Sequence, residues 1–482
     1  MYRNVISGLK ITLFVAIILF VSACAKERKV VIISTNDIHA AIERVPQLAT
    51  VVERCRQANP DEVILVDAGD RWTGNPFVDL ANEPGAPIID LMNDLDYDVA
   101  TVGNHEFDMG QERLEERIDG MDFDLVVANM ETGDTPLRQP RPYVIREVNG
   151  VKLGFIGLVT NFINGHPDGE DEVFEGLSFS SPYEAAERYR TLRDSVDVLV
   201  AVTHIGDDAD SILATRMPEL DLIVGGHTHT IIDRPRIYGK TMVTQTGKSL
   251  RYAGITTLTV KKGKILAMDN QLIALDTVTP SVPYSLKVTE ILNNPRLIEG
   301  IGRADSLFNK TAVANLMTDC IREATESDLA FYHIGGVRVD SIPAGKISIA
   351  NLFSIEPFRS EITTMTLSVP EIKELIINKF NDSINPKESH RPDIYPSGVS
   401  YTILTDATGE AVDVEFDPVL RKERYRVAMA DYMYNTYRFT KPTDAKNKGL
   451  LVTDILKEHI EESSPIRPDA GQRIRIETTS AD

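Results

Sequence analysis

The sequence has little cysteine, a deficit of positive charge and few long hydrophobic runs. It contains three cysteines among 482 residues. Cys55 and Cys320 fall in predicted helices of opposite halves of the chain, so we expect no bridge between them and interpret both as small buried apolar residues. Lysine and arginine total 51 against 72 aspartate and glutamate residues, a formal net charge of −21. This charge argues against a nucleic-acid polymer as partner and favours a well-solvated surface.

The N-terminus carries one apolar run, residues 11–21, which is too short to span a bilayer comfortably. This run contains no acidic residue and follows the basic residues Arg3 and Lys10, which is the pattern of an export signal. Val21-Ser22-Ala23-Cys24 resembles the lipobox of bacterial lipoproteins, whose cysteine is lipidated; the alternative is an ordinary cleaved signal with an incidental cysteine. We therefore expect residues 1–24 to be a lipoprotein signal peptide. The mature protein would be exported and held by a lipid on Cys24 at the cell envelope, on its periplasmic face or at the cell surface.

The length of the chain indicates two or more domains. Residues 28–275 alternate strands with helices, which predicts a largely parallel α/β sheet. Later strands at 242–245 and 254–260 suggest a second sheet. Residues 276–300 are predicted to be an interdomain linker. Residues 301–482, with shorter strands and many turns, are predicted to form a separate α+β domain.

Histidine is also scarce, and its placement is informative. Five of the nine histidines stand where predicted strands end, together with carboxylates and one amide. Side chains at the carboxyl ends of strands in an α/β sheet point into the crevice where ligands bind. One buried histidine is often a core residue, but this whole set indicates a metal centre. The residues that make up the set are Asp37, His39, Asp70, Asn104, His105, His204, His227 and His229.

The number of candidate ligands exceeds what one ion needs. All of the set except His105 are candidates, which suits two ions if one carboxylate bridges them. Asp70 is the natural bridge, because a carboxylate can bind two ions and a glycine precedes it. Mixed oxygen and imidazole donors favour Mn, Zn, Fe or Co over Mg or Ca. Two such ions suit in-line displacement at phosphorus, because they activate a bridging water and stabilise phosphoryl charge.

His105 offers a group for proton or hydrogen-bond donation. Asp108 stands three residues later, close enough to orient the imidazole if the chain turns. His105 could then act on the transition state or the leaving group. Taken alone, residues 103–108 could instead form a turn whose polar residues cap the next helix.

The same motifs carry a family resemblance. Asp37-x-His39, Gly69-Asp70, Gly103-Asn104-His105-Glu106, His204 and Gly225-Gly226-His227-Thr228-His229 resemble the calcineurin-like metallophosphoesterase superfamily, in particular its 5′-nucleotidase and UDP-sugar hydrolase family. The resemblance implies a four-layer α/β/β/α domain of two sheets between helices. It implies two divalent metal ions bridged by Asp70, one with Asp37, His39 and His229 and the other with Asn104, His204 and His227. It also implies that His105 and Asp108 form the catalytic dyad.

The second domain resembles the smaller α+β C-terminal domain of the same family. The supporting segments are Ala314 to Asp319, Gly335-Gly336-Val337-Arg338, Glu356-Pro357-Phe358 and Ser397-Gly398. The resemblance implies that Arg338 binds phosphate and that Phe358 stacks on a nucleobase. The alternatives are a surface-turn arginine and a phenylalanine that packs in the core.

The second domain also departs from the family pattern. His333 stands where the family loop has asparagine, and Ala314 replaces glycine. The Gly-Gly-Asp-Gly segment that supplies the second aromatic residue and a ribose-binding aspartate is absent after Tyr432. Tyr432 is the candidate second aromatic residue, and the ribose-binding aspartate has no sound equivalent.

The expected function is that of an exported 5′-nucleotidase. It would release phosphate from nucleoside 5′-monophosphates by attack of a metal-bridging hydroxide. The enzymatic alternatives are a 2′,3′-cyclic-nucleotide phosphodiesterase, a nucleotide-sugar pyrophosphatase or a hydrolase of another phosphoester. A binding protein built on an inactive scaffold would have lost ligands, and none is lost in this sequence.

Overall fold

The computed structural model describes residues 26–382 and 389–479. The predicted signal peptide, with its predicted lipidation site Cys24, lies outside the described residues. Cys55 and Cys320 are both free thiols, and Cys320 is buried as predicted, but the expectation that Cys55 is buried is wrong, since it is only partly buried. Among the described residues, no helix has the length and apolar character needed to cross a membrane.

The first half of the chain is rich in short strands. These are β1 (Arg28–Thr35), β2 (Val63–Asp67), β3 (Val99–Ala100), β4 (Asp124–Leu125), β5 (Met130–Glu131), β6 (Tyr143–Val148), β7 (Val151–Val159), β8 (Ser178–Phe179), β9 (Val198–His204), β10 (Leu222–Gly225), β11 (Arg236–Tyr238), β12 (Thr241–Thr244), β13 (Tyr252–Lys261) and β14 (Lys264–Ala274). The helices between them are α1 (Val45–Ala58), α2 (Pro76–Asp79), α3 (Ala86–Asp94), α4 (Gln111–Asp119), α5 (Pro182–Glu187) and α6 (Asp207–Arg216). Short 3₁₀ turns occupy Ile42–Arg44, His105–Phe107, Asp171–Phe174, Arg190–Ser195 and Leu275–Thr277.

Twelve of these strands form two six-stranded sheets, in the orders β14-β13-β1-β2-β3-β4 and β11-β12-β10-β9-β7-β6, and β5 pairs with β8 in a separate two-stranded sheet. In the first sheet β1, β2, β3 and β4 run parallel, and β13 is antiparallel to both β1 and β14. In the second sheet β12, β10, β9 and β7 run parallel, with antiparallel β11 and β6 at the edges. The expectation that residues 254–260 belong to the second sheet is wrong. This strand, β13, pairs antiparallel with β1, with Arg28 opposite Val260, and so extends the first sheet.

Alternating side chains on each strand build the layers. In β1, Val30 and Ile32 face the core between the two sheets, whereas Val31 and Ile33 pack under helices. In β9, Val200 faces the same central core and Leu199 packs towards α5 and α6. Helices therefore cover the outer face of each sheet, and the predicted four-layer α/β/β/α architecture is confirmed.

The second half has its own elements. Its helices are α7 (Val282–Leu292), α8 (Pro295–Ile298), α9 (Lys310–Ala324), α10 (Ile349–Ile355), α11 (Val369–Phe380), α12 (Asp431–Thr436) and α13 (Val452–Ser463), with a 3₁₀ turn at Ile334–Gly336. Its strands are β15 (Gly300–Ala304), β16 (Phe308–Asn309), β17 (Leu329–His333), β18 (Ser341–Ile342), β19 (Gly345–Ser348), β20 (Glu361–Ser368), β21 (Ile394–Ser397), β22 (Ser400–Thr405), β23 (Ala411–Asp417), β24 (Arg424–Ala430), β25 (Lys446–Leu451) and β26 (Ile474–Thr478).

A five-stranded sheet, in the order β21-β17-β24-β20-β25, is the centre of this second unit. One face packs on α9, α10 and α13, and the other packs on α11 and the three-stranded sheet β23-β22-β26. This is the predicted smaller α+β domain. The boundaries at 275 and 301 stay a prediction. Within the predicted linker, Val288 of α7 joins the core of the first domain.

Candidate metal centre and interdomain cleft

The predicted ligands follow five parallel strands that end at the same edge of the two facing sheets. Asp37 and His39 follow β1, and Asp70 follows β2. Asn104 follows β3, His204 ends β9, and His227 and His229 follow β10. The loops meet because the carboxyl ends of parallel strands lie together. The structure thus brings all of the predicted ligands into one site.

The backbone of this site is strained. Asp37, His39, Asp70, His227 and His229 have φ angles of 49°, 46°, 57°, 83° and 54°. Positive φ is uncommon for residues other than glycine, and it costs of order 1–3 kcal/mol where the surrounding structure holds it in place. Such residues cluster at functional sites. The strain therefore indicates that these five residues serve a function rather than local stability.

The first group of donors converges on one point. Donor atoms of Asp37, His39, Asp70 and His229 all lie within 4.8 Å of one another. His39 Nε2 is 3.0 Å from His229 Nε2, which in turn is 3.4 Å from Asp37 Oδ1. Burial lowers the pKa of both imidazoles, which keeps them in the neutral form that binds metals. Two carboxylates and two neutral imidazoles fit a divalent ion.

The second group shares Asp70 with the first. His204 Nε2 lies 3.1 Å from Asp70 Oδ2, and the same oxygen lies 3.9 Å from His39 Nε2. His204 Nδ1 is 2.7 Å from the carbonyl oxygen of Ala68, so Nδ1 carries the proton and Nε2 is left to bind. His227 Nδ1 lies 3.2 Å from Asn104 Oδ1. These side chains could hold a second ion, and Asp70 Oδ2 lies within reach of a histidine of each donor group.

The predicted dyad has the expected geometry. His105 Nδ1 is 2.7 Å from Asp108 Oδ2, at the start of a 3₁₀ turn. Burial lowers the pKa of His105, but the carboxylates of Asp108 and Asp70 outweigh it and raise the pKa to about 9. These carboxylates favour the protonated imidazole in the metal-free protein, with Nδ1–H donating to Asp108 and Nε2 left for a substrate.

Sequence reasoning gave no role to Glu106, which holds two of the loops together. Its carboxylate accepts hydrogen bonds from the backbone N–H groups of Asp70, at 2.8 Å, Arg71, at 2.8 Å, and Gly103. The buried Arg71 guanidinium lies 3.7 Å from Glu106 and donates to the carbonyl of Thr101 at 2.8 Å. The sequence signal was available: an arginine in a buried strand-end loop needs an anionic partner.

The second domain brings Arg338 and Phe358 to the dyad. The Phe358 ring stacks on the His105 ring, with centroids 5.7 Å apart and planes at 25°. The Arg338 guanidinium lies 5.4 Å from the Phe358 centroid, and its charge lowers the pKa of His39. Both residues line an interdomain cavity of about 470 Å³ together with Asp70 and His105. An arginine in a surface turn and a phenylalanine packed in the core would not line this cavity, so neither alternative for Arg338 and Phe358 predicts their placement.

An aromatic wall lies on the same cavity. Tyr432 packs on His333, with ring centroids 4.8 Å apart, and Tyr332 stacks on His333 at 5.0 Å. Tyr432 and His333 both line the cavity that holds Phe358. The histidine that replaces the family asparagine is therefore part of the wall.

Family models match both halves of the chain. Residues 30–230 match calcineurin-like phosphoesterase, and residues 288–439 match the 5′-nucleotidase C-terminal domain. The chain belongs to the 5′-nucleotidase type of metallophosphoesterase. Phosphoesterases of this family use two divalent metal ions, and this enzyme carries the clustered aspartate and histidine donors for them.

Individual proteins share this two-domain organisation. A 5′-nucleotidase of Vibrio cholerae is 24% identical, over 95% of this metallophosphoesterase and 96% of its own length. The structure of a 5′-nucleotidase precursor from Thermus thermophilus aligns with a TM-score of 0.76 at 22% identity, covering 93% of this chain and 99% of that one. The structure of the sulfate thiohydrolase SoxB of the same organism aligns with a TM-score of 0.73 at 18% identity, covering 92% of this chain and 83% of that one. The fold alone therefore does not select a substrate.

One loop of this metallophosphoesterase escaped sequence analysis. Residues 160–177 follow β7 and reach both the metal centre and the second domain. Asp168 Oδ2 lies 3.3 Å from His227 Nε2. Two residues later, Glu170 accepts a hydrogen bond from Asn435 of α12 at 2.7 Å. No local pattern marks these contacts, because each partner is distant in sequence.

Proposed function

We propose that this enzyme is a 5′-nucleotidase that releases phosphate from nucleoside 5′-monophosphates. The observation that carries the proposal is the meeting of Arg338 and Phe358 with His105 in one interdomain cavity. A cation, an aromatic ring and a catalytic imidazole beside a metal centre match the phosphate and base of a nucleotide. The cavity volume of about 470 Å³ lies in the range of small-molecule sites.

The proposed ligand assignment follows the two donor groups. Asp37, His39 and His229 would hold one ion, Asn104, His204 and His227 would hold the other, and Asp70 would contribute to both. The two ions, when bound, supply the nucleophile and neutralise charge on the phosphoryl oxygens.

In this proposal the protein's own side chains bind the phosphoryl group and the base, and one of them donates to the phosphoryl group or the leaving oxygen. Arg338 binds non-bridging phosphoryl oxygens through its planar fork of N–H groups. His105, held by Asp108, donates from Nε2 to the phosphoryl group or the leaving oxygen. Phe358 and Tyr432 offer aromatic surface for the base, a contact that tolerates different bases.

Arg338→Lys tests the phosphate contact. We expect KM for 5′-AMP to rise about tenfold with little change in kcat, because a lysine cannot reproduce a bidentate charge-assisted hydrogen bond worth about 1.5 kcal/mol. The matched control is Arg359→Lys, an exposed arginine on the same cavity, for which we expect a KM close to that of the wild type. An unaltered KM in Arg338→Lys would contradict a phosphate contact by Arg338.

A phosphate-release assay tests the substrate class. The panel is 5′-AMP, 5′-UMP, 3′-AMP, 2′,3′-cyclic AMP, UDP-glucose and p-nitrophenyl phosphate, with Mn²⁺ present and with EDTA as the control. Fast, EDTA-sensitive turnover of the 5′-monophosphates supports the proposal. Preference for the cyclic nucleotide or for UDP-glucose would establish one of the alternatives. Turnover of p-nitrophenyl phosphate alone would support a phosphoesterase metal centre but would reject nucleotides as substrates.

Export and lipid anchoring are also proposals, and they rest on residues 1–24 of the sequence. We expect the full-length protein to sediment with membranes and Cys24→Ala to appear in the soluble fraction, because a lipid on Cys24 would be the anchor. Equal membrane content in both proteins would contradict a lipid at this cysteine.

A further inference from the structure

The loop of residues 160–177 places a carboxylate against one of the proposed metal ligands. Asp168 Oδ2 lies 3.3 Å from Nε2 of His227. Asp168 lines both the 470 Å³ cavity and a neighbouring cavity of about 1060 Å³. It belongs to none of the motifs that identify the metal centre.

The two nitrogens of His227 face different partners. Nδ1 points to Asn104 Oδ1, 3.2 Å away, and so faces the second donor group. Nε2 faces Asp168. A histidine that binds a metal through Nδ1 keeps its proton on Nε2, and a carboxylate acceptor at Nε2 fixes that tautomer and the orientation of the ring.

His227 needs such a partner more than two of its neighbours do. Nδ1 of His39 and of His204 lie against the backbone carbonyls of Thr73 and Ala68, at 3.1 and 2.7 Å. The side chain of His227 is 21% exposed and its backbone has a φ of 83°. Neither rigid strand geometry nor a buried environment fixes its ring.

The Asp168 carboxylate is not used to hold its own loop. Oδ1 is buried and has no hydrogen-bond partner among the described residues. The loop is held by other residues instead: Gln111 donates to the carbonyls of Val173 and Glu175, and Glu170 accepts from Asn435. An unsatisfied buried carboxylate oxygen is costly, so its retention indicates a role beyond stability.

We propose that Asp168 is a positioning residue whose carboxylate would accept a hydrogen bond from Nε2–H of His227 and so keep Nδ1 directed towards the second metal ion, a role that rests on the proposed function. Because Asp168 lies two residues before Glu170, which contacts the second domain, the loop links that domain to the metal centre.

Metal titration of the apoprotein tests the proposal. We expect Asp168→Ala to lower the affinity of one of two Mn²⁺ ions about 10- to 100-fold by calorimetry and to leave the other unchanged. Asp168→Asn should lie between wild type and Asp168→Ala, because its amide oxygen still accepts a hydrogen bond. For the substrate, kcat of Asp168→Ala should recover at high Mn²⁺ while KM stays at the wild-type value.

Asp171→Asn is the matched control. Asp171 lies on the same loop, is 73% exposed and contacts His166, which is not a proposed ligand. We expect wild-type affinity for both ions in this variant. Equal losses in Asp171→Asn and Asp168→Ala would reveal a general effect on the loop and overturn the proposal. Wild-type affinity for both ions in Asp168→Ala would overturn it directly.

His227→Ala separates this inference from the proposed site. Loss of one ion in His227→Ala, with both retained in Asp168→Ala, would reject the role of Asp168 alone. Retention of both ions in His227→Ala would reject His227 as a ligand and with it the proposed second group. Far-ultraviolet circular dichroism and the thermal midpoint of each variant establish that the loss is not a failure to fold.

Discussion

His105→Ala is expected to lower kcat at least 10²-fold, within the 10²- to 10⁴-fold range of general acid catalysis, and to leave two metal ions bound. The imidazole lies beside the metal centre but is not one of the proposed ligands. Its proton is stabilised by Asp108 at 2.7 Å, and Asp70 contributes to the pKa of about 9. Removing the ring removes a donor that acts in the transition state, while the backbone N–H of residue 105 can still donate to Asp70 Oδ1.

Steady-state kinetics with Mn²⁺ and metal analysis by mass spectrometry check this result together. His390→Ala is the control, because His390 also faces a carboxylate, Glu410 at 3.2 Å, but at an exposed site. We expect kcat of the control to equal that of the wild type. An unchanged kcat in His105→Ala with two ions bound would remove His105 from the mechanism.

Glu106→Ala is expected to lower the free energy of unfolding by about 3–5 kcal/mol. The carboxylate is fully buried, and three backbone N–H groups from two loops donate to it. Truncation leaves these donors without an acceptor and removes a counter-charge from the buried Arg71. Because one of the three donors belongs to Asp70, the variant should also bind metal more weakly.

Urea unfolding of the metal-free protein measures the loss. Glu106→Gln keeps one acceptor oxygen and should fall between the wild type and Glu106→Ala. Glu112→Ala changes an exposed glutamate nearby and should alter stability by less than about 0.5 kcal/mol. A loss below about 1 kcal/mol in Glu106→Ala would show that the loops are held by other contacts.

The metal centre could be predicted from sequence because its signal is local. Each ligand stands just past a run of apolar residues, and the rule for strand ends brings such positions together without knowledge of the full topology. The four layers follow for a similar reason: β1 and β9 are apolar on both faces, so something must cover each face.

The pairing of residues 252–261 with β1 could not be predicted in this way. The choice of sheet depends on a partner more than 200 residues away in sequence. Glu106 and Asp168 present the same difficulty. Glu106 accepts from an N–H that lies 36 positions earlier, and Asp168 meets His227 from a loop with no distinctive composition.

The second domain shows a different limit. A short motif drew attention to Phe358, but a motif cannot say which ring lies beside it. The structure places that residue on His105 of the first domain. The contact depends on how two separately folded units meet, which no local pattern encodes.

The left-handed backbone at Asp37, His39, Asp70, His227 and His229 would make ions bound by these residues structural as well as catalytic partners. A metal-free chain must hold these conformations with no ligand bonds to offset them. Ion binding therefore adds its free energy to folding, and the thermal midpoint should rise with the concentration of free metal. The supply of metal then governs how much folded enzyme persists, as well as how fast each molecule works.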